Sequence, residues 1–316
     1  MARDDLKLEV VRQYYIQNLN QGQIAKNLDI SRSYVSKLLI EARQEKLVEI
    51  KINSPYVIET KDENLLRTKY CLKKVIIVAA DDKPEQPPQG MYYKKLGNAV
   101  NEFLNTVLKN GDTIGVAWGK TIYECSKMIK IYEAQEGLSV VSLCGGVSQF
   151  DNSTYSNEIL NHFTRALNAK PYALPLPAIA ESKRYKDVFV NEQSILKVMQ
   201  VMENINVALF TVGRCDQDSA LVRSGYITEQ EMAKLVTEGA VGEVCTHFVN
   251  EKGVCFKQEL EDRTIAVSMD LLKKCETRIA VILGEKRLET LKAILYAEYI
   301  NVLIIDEEAA KKLLSI

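Results

Sequence analysis

Residues 21–40, QGQIAKNLDISRSYVSKLLI, decide the architecture of the first part of this chain. They read as two helices joined by a tight turn. Ala25 is small enough for the helices to cross closely. Asp29 falls in the turn, where the backbone goes left-handed. Gly is usual there, and Asp tolerates that conformation better than most side chains. Ser31 is placed to cap the second helix. Val35, Leu38 and Leu39 recur at helical spacing and point inward. Arg32, Ser33, Ser36 and Lys37 are left on the outer N-terminal face, from which a recognition helix reads the major groove. The stretch therefore reads as a DNA-binding helix-turn-helix. The plain alternative is a small helical hairpin with a solvated polar face.

The flanks fit the first reading. Leu6, Val10, Val11, Tyr14 and Leu19 form a stripe of period near 3.6 and predict a supporting helix over Asp5 to Leu19. In Leu47 to Ile52, Val48, Ile50 and Ile52 alternate with Glu49 and Lys51, as in a half-buried strand. Three helices and a strand predict a winged domain over residues 1–53. Arg32, Lys37, Arg43 and Lys46 are suited to DNA phosphates.

With 316 residues, two domains are expected. A net charge of −1 excludes a general polyanion binder, so DNA contact must come from a local basic face. No apolar run reaches the roughly 18 residues of a membrane span, and charges at the N-terminus argue against a signal peptide. Seven cysteines, an odd number without C-x-x-C spacing, fit reduced thiols in a cytoplasmic protein. No metal or cofactor is expected. His162 and His247 are the only histidines and neither lies in a ligand-spaced cluster, so both read as ordinary fold or surface residues.

Ser54-Pro55 opens a connector that includes a helix over Glu59 to Tyr70. Residues 71–316 then alternate strands and helices. Strands are expected at Lys74–Ala79, Thr113–Ala117, Leu138–Leu143, Asn206–Thr211, Arg278–Leu283 and Asn301–Ile305. Helices are expected over Tyr92–Leu108, Thr121–Ile131 and Asn157–Leu167. A proline-rich loop runs from Lys83 to Gly90. Thr228 and Glu231 make a capping box before another helix. The pattern is α/β, with a mainly parallel sheet covered on both faces.

Ligands of such sheets bind beyond the carboxyl ends of the strands. Four strand ends run into glycine or polar loops, at Gly119, at Gly145 and Gly146, at Gly213, and at Gly284. In the first, Gly119 lets a ligand approach the backbone, Thr121 opens a helix whose free N–H groups favour an anion, and Lys120 adds charge. A phosphate fits this loop; so does a tight strand-to-helix turn with a solvated lysine. Glu243, at the end of the compact run Gly239–Gly242, is a candidate acceptor for sugar hydroxyls or a simple capping residue. Trp118 suits the core or a sugar-stacking face equally.

Six stretches, in order, resemble the SorC family of bacterial regulators, also called DeoR-like or LsrR-like. They are SRSYVSKLLIEARQEKLVEIKI, GVAWGKT, VVSLCGG, YALPLPA, RSGYITEQEMAKLVTEGAVGE and YINVLIIDEEAAKKLL. The resemblance implies a cytoplasmic regulator of a sugar catabolic operon, with an effector domain like the sugar-phosphate isomerase and CoA-transferase fold. It implies operator DNA and a phosphorylated sugar as partners, and a tetramer built as a dimer of dimers. Carried over by position, the phosphate loop is Gly119, Lys120 and Thr121, and the glycine pair is Gly145 and Gly146. Glu243 stands where the family usually has Asp, which changes the reach of the pocket. The lysine after the penultimate strand carries to Lys286, without a fixed register. A different class of function is a sugar-phosphate enzyme with an added DNA-binding domain, using Glu243 and Lys286 as base and acid. A constitutive DNA-binding protein would leave the second domain without a task.

Overall fold

The computed structural model describes residues 3–45, 47–48, 59–79, 89–133, 135–148 and 154–316. The chain forms two compact units, Met1–Ile58 and Glu59–Ile316.

In the smaller unit, α1 (Arg3–Val11) widens into a π-type turn over Arg12–Ile16, closed by Gln17 N–H to the Arg12 carbonyl at 3.1 Å. Asn20 opens α2 (Gln21–Asn27). Its side chain accepts from the Gly22 and Gln23 amides, and the Gln23 side chain returns to the Asn20 N–H. Asp29 has φ 53°, the left-handed turn expected of it. The Ser31 hydroxyl then caps α3 (Arg32–Gln44) by accepting the Tyr34 N–H at 3.2 Å. Val10, Ile24, Val35, Leu38 and Leu39 are the core, with Leu6, Val11, Tyr14, Leu19 and Ala25 packed on it. Arg3 pairs with Glu41 at 2.9 Å and the buried Lys7 with Glu45 at 2.6 Å, which pins α1 to α3. The expected wing strand lies mostly outside the described residues, as do Lys46 and most of the loop from Lys83.

The larger unit is a seven-stranded sheet with the order β1-β10-β9-β5-β2-β3-β4. The strands are β1 (Lys74–Val78), β2 (Thr113–Val116), β3 (Ser139–Ser142), β4 (Lys170–Tyr172), β5 (Val207–Phe210), β9 (Thr277–Ile282) and β10 (Val302–Asp306). Every pairing in it is parallel. Every residue of β5 and β10 is buried, which matches their unbroken apolar runs. Pro171 sits in β4, an edge strand, where its missing N–H breaks no central ladder. A second, antiparallel sheet of β6 (Val212–Gly213), β7 (Gly242–Val244) and β8 (His247–Val249) is inserted between β5 and β9.

The helix expected in the connector, α4 (Lys61–Lys69), packs on β1 and on the last helix, Glu307–Ser315, within the larger unit. Its capping residue Glu63 also accepts the Ile77 N–H of β1 at 2.8 Å. Next, α5 (Gln89–Val107) takes in Gln89 and Gly90, where the proline-rich run predicts a loop as far as Gly90. The helix after β2, α6 (Lys120–Ser126), stops well before Ile131. α7 (Ser156–Leu167) precedes β4.

Going outward from β2, the chain runs through β3 and β4 in one direction, then returns to β5 on its other side. The order therefore reverses between β2 and β5. Their carboxyl ends flank the crevice where such a sheet takes its ligand.

Candidate functional site

In the smaller unit, Ser31, Arg32, Ser33, Lys37 and Arg43 are exposed and Ser36 is half-buried. With about 100° between residues, Arg32, Ser36 and Arg43 fall along one line of α3, and Ser33 and Lys37 lie beside it. Val35, Leu38, Leu39 and Ala42 take the buried side. Glu41 is turned back onto Arg3, so the outer face carries three cations uncompensated by it. Arg43 Nε donates to the Tyr15 hydroxyl at 2.9 Å, which fixes the inner edge of its guanidinium.

In the larger unit, the end of β2 builds the first wall. Gly119 has φ 125°, a conformation that side chains rarely adopt. Its N–H is taken by the Thr154 carbonyl at 3.1 Å. The first bond of α6 is Tyr123 N–H to the Gly119 carbonyl, so the amides of Lys120, Thr121 and Ile122 precede the helical ladder. Thr121 is buried; Lys120 is exposed, with its Nζ 5.9 Å from the Tyr93 ring centre on α5. Across the crevice, at the end of β5, the Thr211 hydroxyl is buried and has no hydrogen-bond partner among the described residues.

Gly145 and Gly146 serve packing. A Cβ on Gly145 would overlap the carbonyls of Leu176 and Pro177, and one on Gly146 would strike Ser156. Trp118 resolves as core: it is buried and donates Nε1–H to the Gly145 carbonyl at 2.8 Å.

Glu243 belongs to β7 and faces Gly213 of β6 in register. A side chain at Gly213 would occupy the space of the Glu243 carboxylate. The hairpin turn after it, Cys245-Thr246, has φ 47° and 68°, two left-handed residues without glycine. Glu243 Oε2 accepts the Thr246 N–H at 2.8 Å and so braces that turn. Burial pushes the Glu243 carboxyl up to about 7, against the pull of the Thr246 N–H, His247 and Arg287.

The cation at this wall is Arg287, one residue beyond the expected one. Lys286 lies in a single helical turn, Glu285–Arg287, with its side chain in solvent. Arg287 is half-buried and donates to the carbonyls of Val212 at 3.1 Å and Leu283 at 2.7 Å. It acts electrostatically on Tyr93, Arg214, Glu243 and Asp216. Lys120 thus approaches Tyr93, and Tyr93, Arg287 and Glu243 lie within electrostatic reach of one another. Arg287, Tyr93, Arg214 and Thr211 are not among the residues the sequence singles out, although the loops at Gly213 and Gly284 hold Arg214 and Arg287. The loop at Gly284 is set by Asp306, which accepts its N–H at 2.6 Å and caps the last helix through Ala309.

The two histidines differ. His162 joins α7 to α6 through Nδ1 and the Ser126 hydroxyl at 2.8 Å, a structural role. His247 does not match the expectation of isolation: the fold brings it together with Cys255 and Glu261.

Residues 54–315 match the model of a family of sugar-binding domains, and residues 4–45 match sigma-70 region 4. The chain is 32% identical to the deoxyribonucleoside regulator of Bacillus subtilis, over 99% of this chain and 98% of that protein. It is 24% identical to the sorbitol operon regulator of Klebsiella pneumoniae, over 98% of each. The chain belongs to the SorC family of sugar-binding transcriptional regulators. The full-length crystal structure of SorC from Klebsiella pneumoniae shares the fold, with a TM-score of 0.77 at 22% identity and 99% coverage of both chains. As a SorC-family regulator, the protein pairs a DNA-binding helix-turn-helix with a sugar-binding α/β domain. Among the described residues, no helix is long and apolar enough to cross a membrane.

The raised Glu243 carboxyl has a measurable consequence for this SorC-family chain. Its ordinary value is 4.5, so between there and about 7 the folded state holds a proton that the unfolded state has lost. Stability falls as pH rises through that window and levels off above it. Glu243→Gln removes the titration. It should flatten the fall and stabilise the ligand-free protein at pH 8 by roughly 1–3 kcal/mol. Urea unfolding between pH 5 and 8 measures both; an unchanged slope in the variant would assign the titration to another group.

Proposed function

We propose that this regulator controls a carbohydrate catabolic operon from the cytoplasm, and that a phosphorylated sugar sets its operator affinity. The observation that carries this reading is the approach of Lys120 to Tyr93 at 5.9 Å, with Arg287 in electrostatic reach of Tyr93 and Glu243, beside the order reversal of the sheet. The Lys120 ammonium and the first amides of α6 would hold the phosphate, with Thr211 facing the same crevice. Glu243 Oε1, left over from the bond to Thr246, would accept sugar hydroxyls as a charge-assisted partner. Gly213 makes room for that carboxylate, and Gly145 and Gly146 hold the floor behind Trp118. Binding rather than turnover is favoured because Lys286, the expected acid, points into solvent. The name of the Bacillus relative, a deoxyribonucleoside regulator, adds deoxyribonucleosides and their phosphates to the test set.

In the smaller unit, Arg32, Ser33, Ser36 and Lys37 would enter the major groove of the operator, with Ser31 and Arg43 on the backbone. One recognition helix reads one half-site, so the working form is a homo-oligomer, on the family pattern a dimer of dimers. The helix Lys183–Val190 supports this. It buries none of its residues, yet exposes Tyr185, Val188 and Phe189.

Three measurements test the proposal. Calorimetry should give clear binding for a phosphorylated sugar and far weaker binding for the same sugar without phosphate. Lys120→Ala should weaken only the phosphorylated form, and equal affinities for the two would overturn the assignment. For DNA, Arg32→Ala and Lys37→Ala should each weaken operator binding with unchanged melting. Loss of a phosphate contact should flatten the salt dependence by about one unit of slope; unaltered affinity in both variants would displace α3 from the groove. Sedimentation should show an oligomer at micromolar concentration that Val188→Asp breaks up, and a wild-type monomer would remove the claim.

A further inference from the structure

His247 is 6% exposed, and both of its ring nitrogens face acceptors. Nε2 lies 2.9 Å from the Val267 carbonyl, and Nδ1 lies 2.7 Å from Glu261 Oε2. A neutral imidazole has one N–H. The carbonyl can only accept, so a proton on Nε2 leaves the Nδ1 lone pair aimed at a carboxylate oxygen. Two acceptors at 2.7 Å need a proton or a cation between them.

A third donor stands beside them. Cys255 Sγ, His247 and Glu261 present ligand atoms that all lie within 4.8 Å of one another. They come from three pieces of backbone. His247 begins β8, Cys255 pairs back onto Val249 beyond the turn, and Glu261 ends the short helix Gln258–Glu261. Lys257, at φ 68°, turns the chain sharply between the last two. The Lys186 ammonium takes the backbone carbonyl of Glu261 at 3.1 Å. Cys255 and Glu261 are only half-buried, which leaves an approach from solvent.

We infer that His247, Cys255 and Glu261 form a divalent-cation site of the zinc class. One nitrogen, one sulfur and one oxygen make a donor set that zinc accepts in tetrahedral geometry, with a fourth position for water. A neutral imidazole, a thiolate and a carboxylate would balance the charge of the ion. The Nε2–H to the Val267 carbonyl is the outer bond that orients a metal-bound histidine. Tetrahedral ligands at zinc distances sit about 3.3–3.7 Å apart, so the His247–Glu261 contact opens by roughly half an ångström to admit the ion. The cation ties β8 to the 255–261 segment. Because β8 is the partner strand of β7, it also steadies the hairpin that carries Glu243. The site does not depend on what the crevice binds.

The test uses the full chain, stripped with a chelator and titrated with Co²⁺ and Zn²⁺. One equivalent of Co²⁺ per chain should give a thiolate-to-cobalt charge-transfer band and the intense visible bands of a tetrahedral ion. Cys255→Ser should abolish the charge-transfer band and weaken Zn²⁺ binding at least about tenfold, while the metal-free variant melts with the metal-free wild type. Glu261→Gln should weaken both metals but keep the charge-transfer band. It decides the matter if Cys255→Ser proves unfolded. No charge-transfer band in the wild type would leave only a His–Glu ion pair and overturn the site. A band that survives in folded Cys255→Ser would assign the metal to another cysteine and overturn it equally.

Discussion

Parallel strands must all be re-entered from the same edge of the sheet. The connections therefore carry the chain over the two faces, and every carboxyl end opens on one side. In the larger unit this requirement fixes nearly everything that follows. It buries β5 and β10 completely. It collects Gly119, Gly145, Gly213 and Gly284 at one edge, and it leaves a crevice where the order turns back between β2 and β5. The side chains proposed to line the crevice are supplied by connections. Tyr93 comes from a covering helix, Lys120 from the opening of the next, Arg287 from a loop, and Glu243 from an inserted hairpin.

What the sequence discloses follows from how much backbone each signal spans. Fully buried strands announce themselves as apolar runs, so six of the seven strands of the large sheet were legible to within a residue or two. The caps at Ser31 and Thr228 join groups only three residues apart and were legible for the same reason. β4 was not, because a three-residue edge strand holding Pro171 has no periodicity to show. The antiparallel sheet was missed for a different reason. Its strands have two or three residues, and its turn uses Cys245 and Thr246 in place of the usual Asn or Gly.

The candidate sites divide along the same line. The outer face of α3 repeats every turn and can be counted off in the sequence. Glu243 was legible as a carboxylate ending an apolar run, although not as part of a strand. Arg287 was not, because a single helical turn at Glu285 swings Lys286 outward and its neighbour inward, and nothing local distinguishes the two cations. His247, Cys255 and Glu261 lie eight and six residues apart with irregular structure between them. Their convergence belongs to the tertiary fold alone.

The hairpin turn at Cys245 and Thr246 carries a mechanical consequence. Two successive side-chain-bearing residues in the left-handed region cost on the order of 1–2 kcal/mol each. The Thr246 N–H bond to Glu243 is part of what offsets that cost. The same carboxylate thus latches a cocked spring and is the group proposed to meet the sugar. Any guest that draws it away slackens the latch and lets the turn relax. A sub-ångström shift of one side chain would then be felt in the shape of a loop, because two left-handed residues would lose a bond that holds them while the packed core beneath stays rigid.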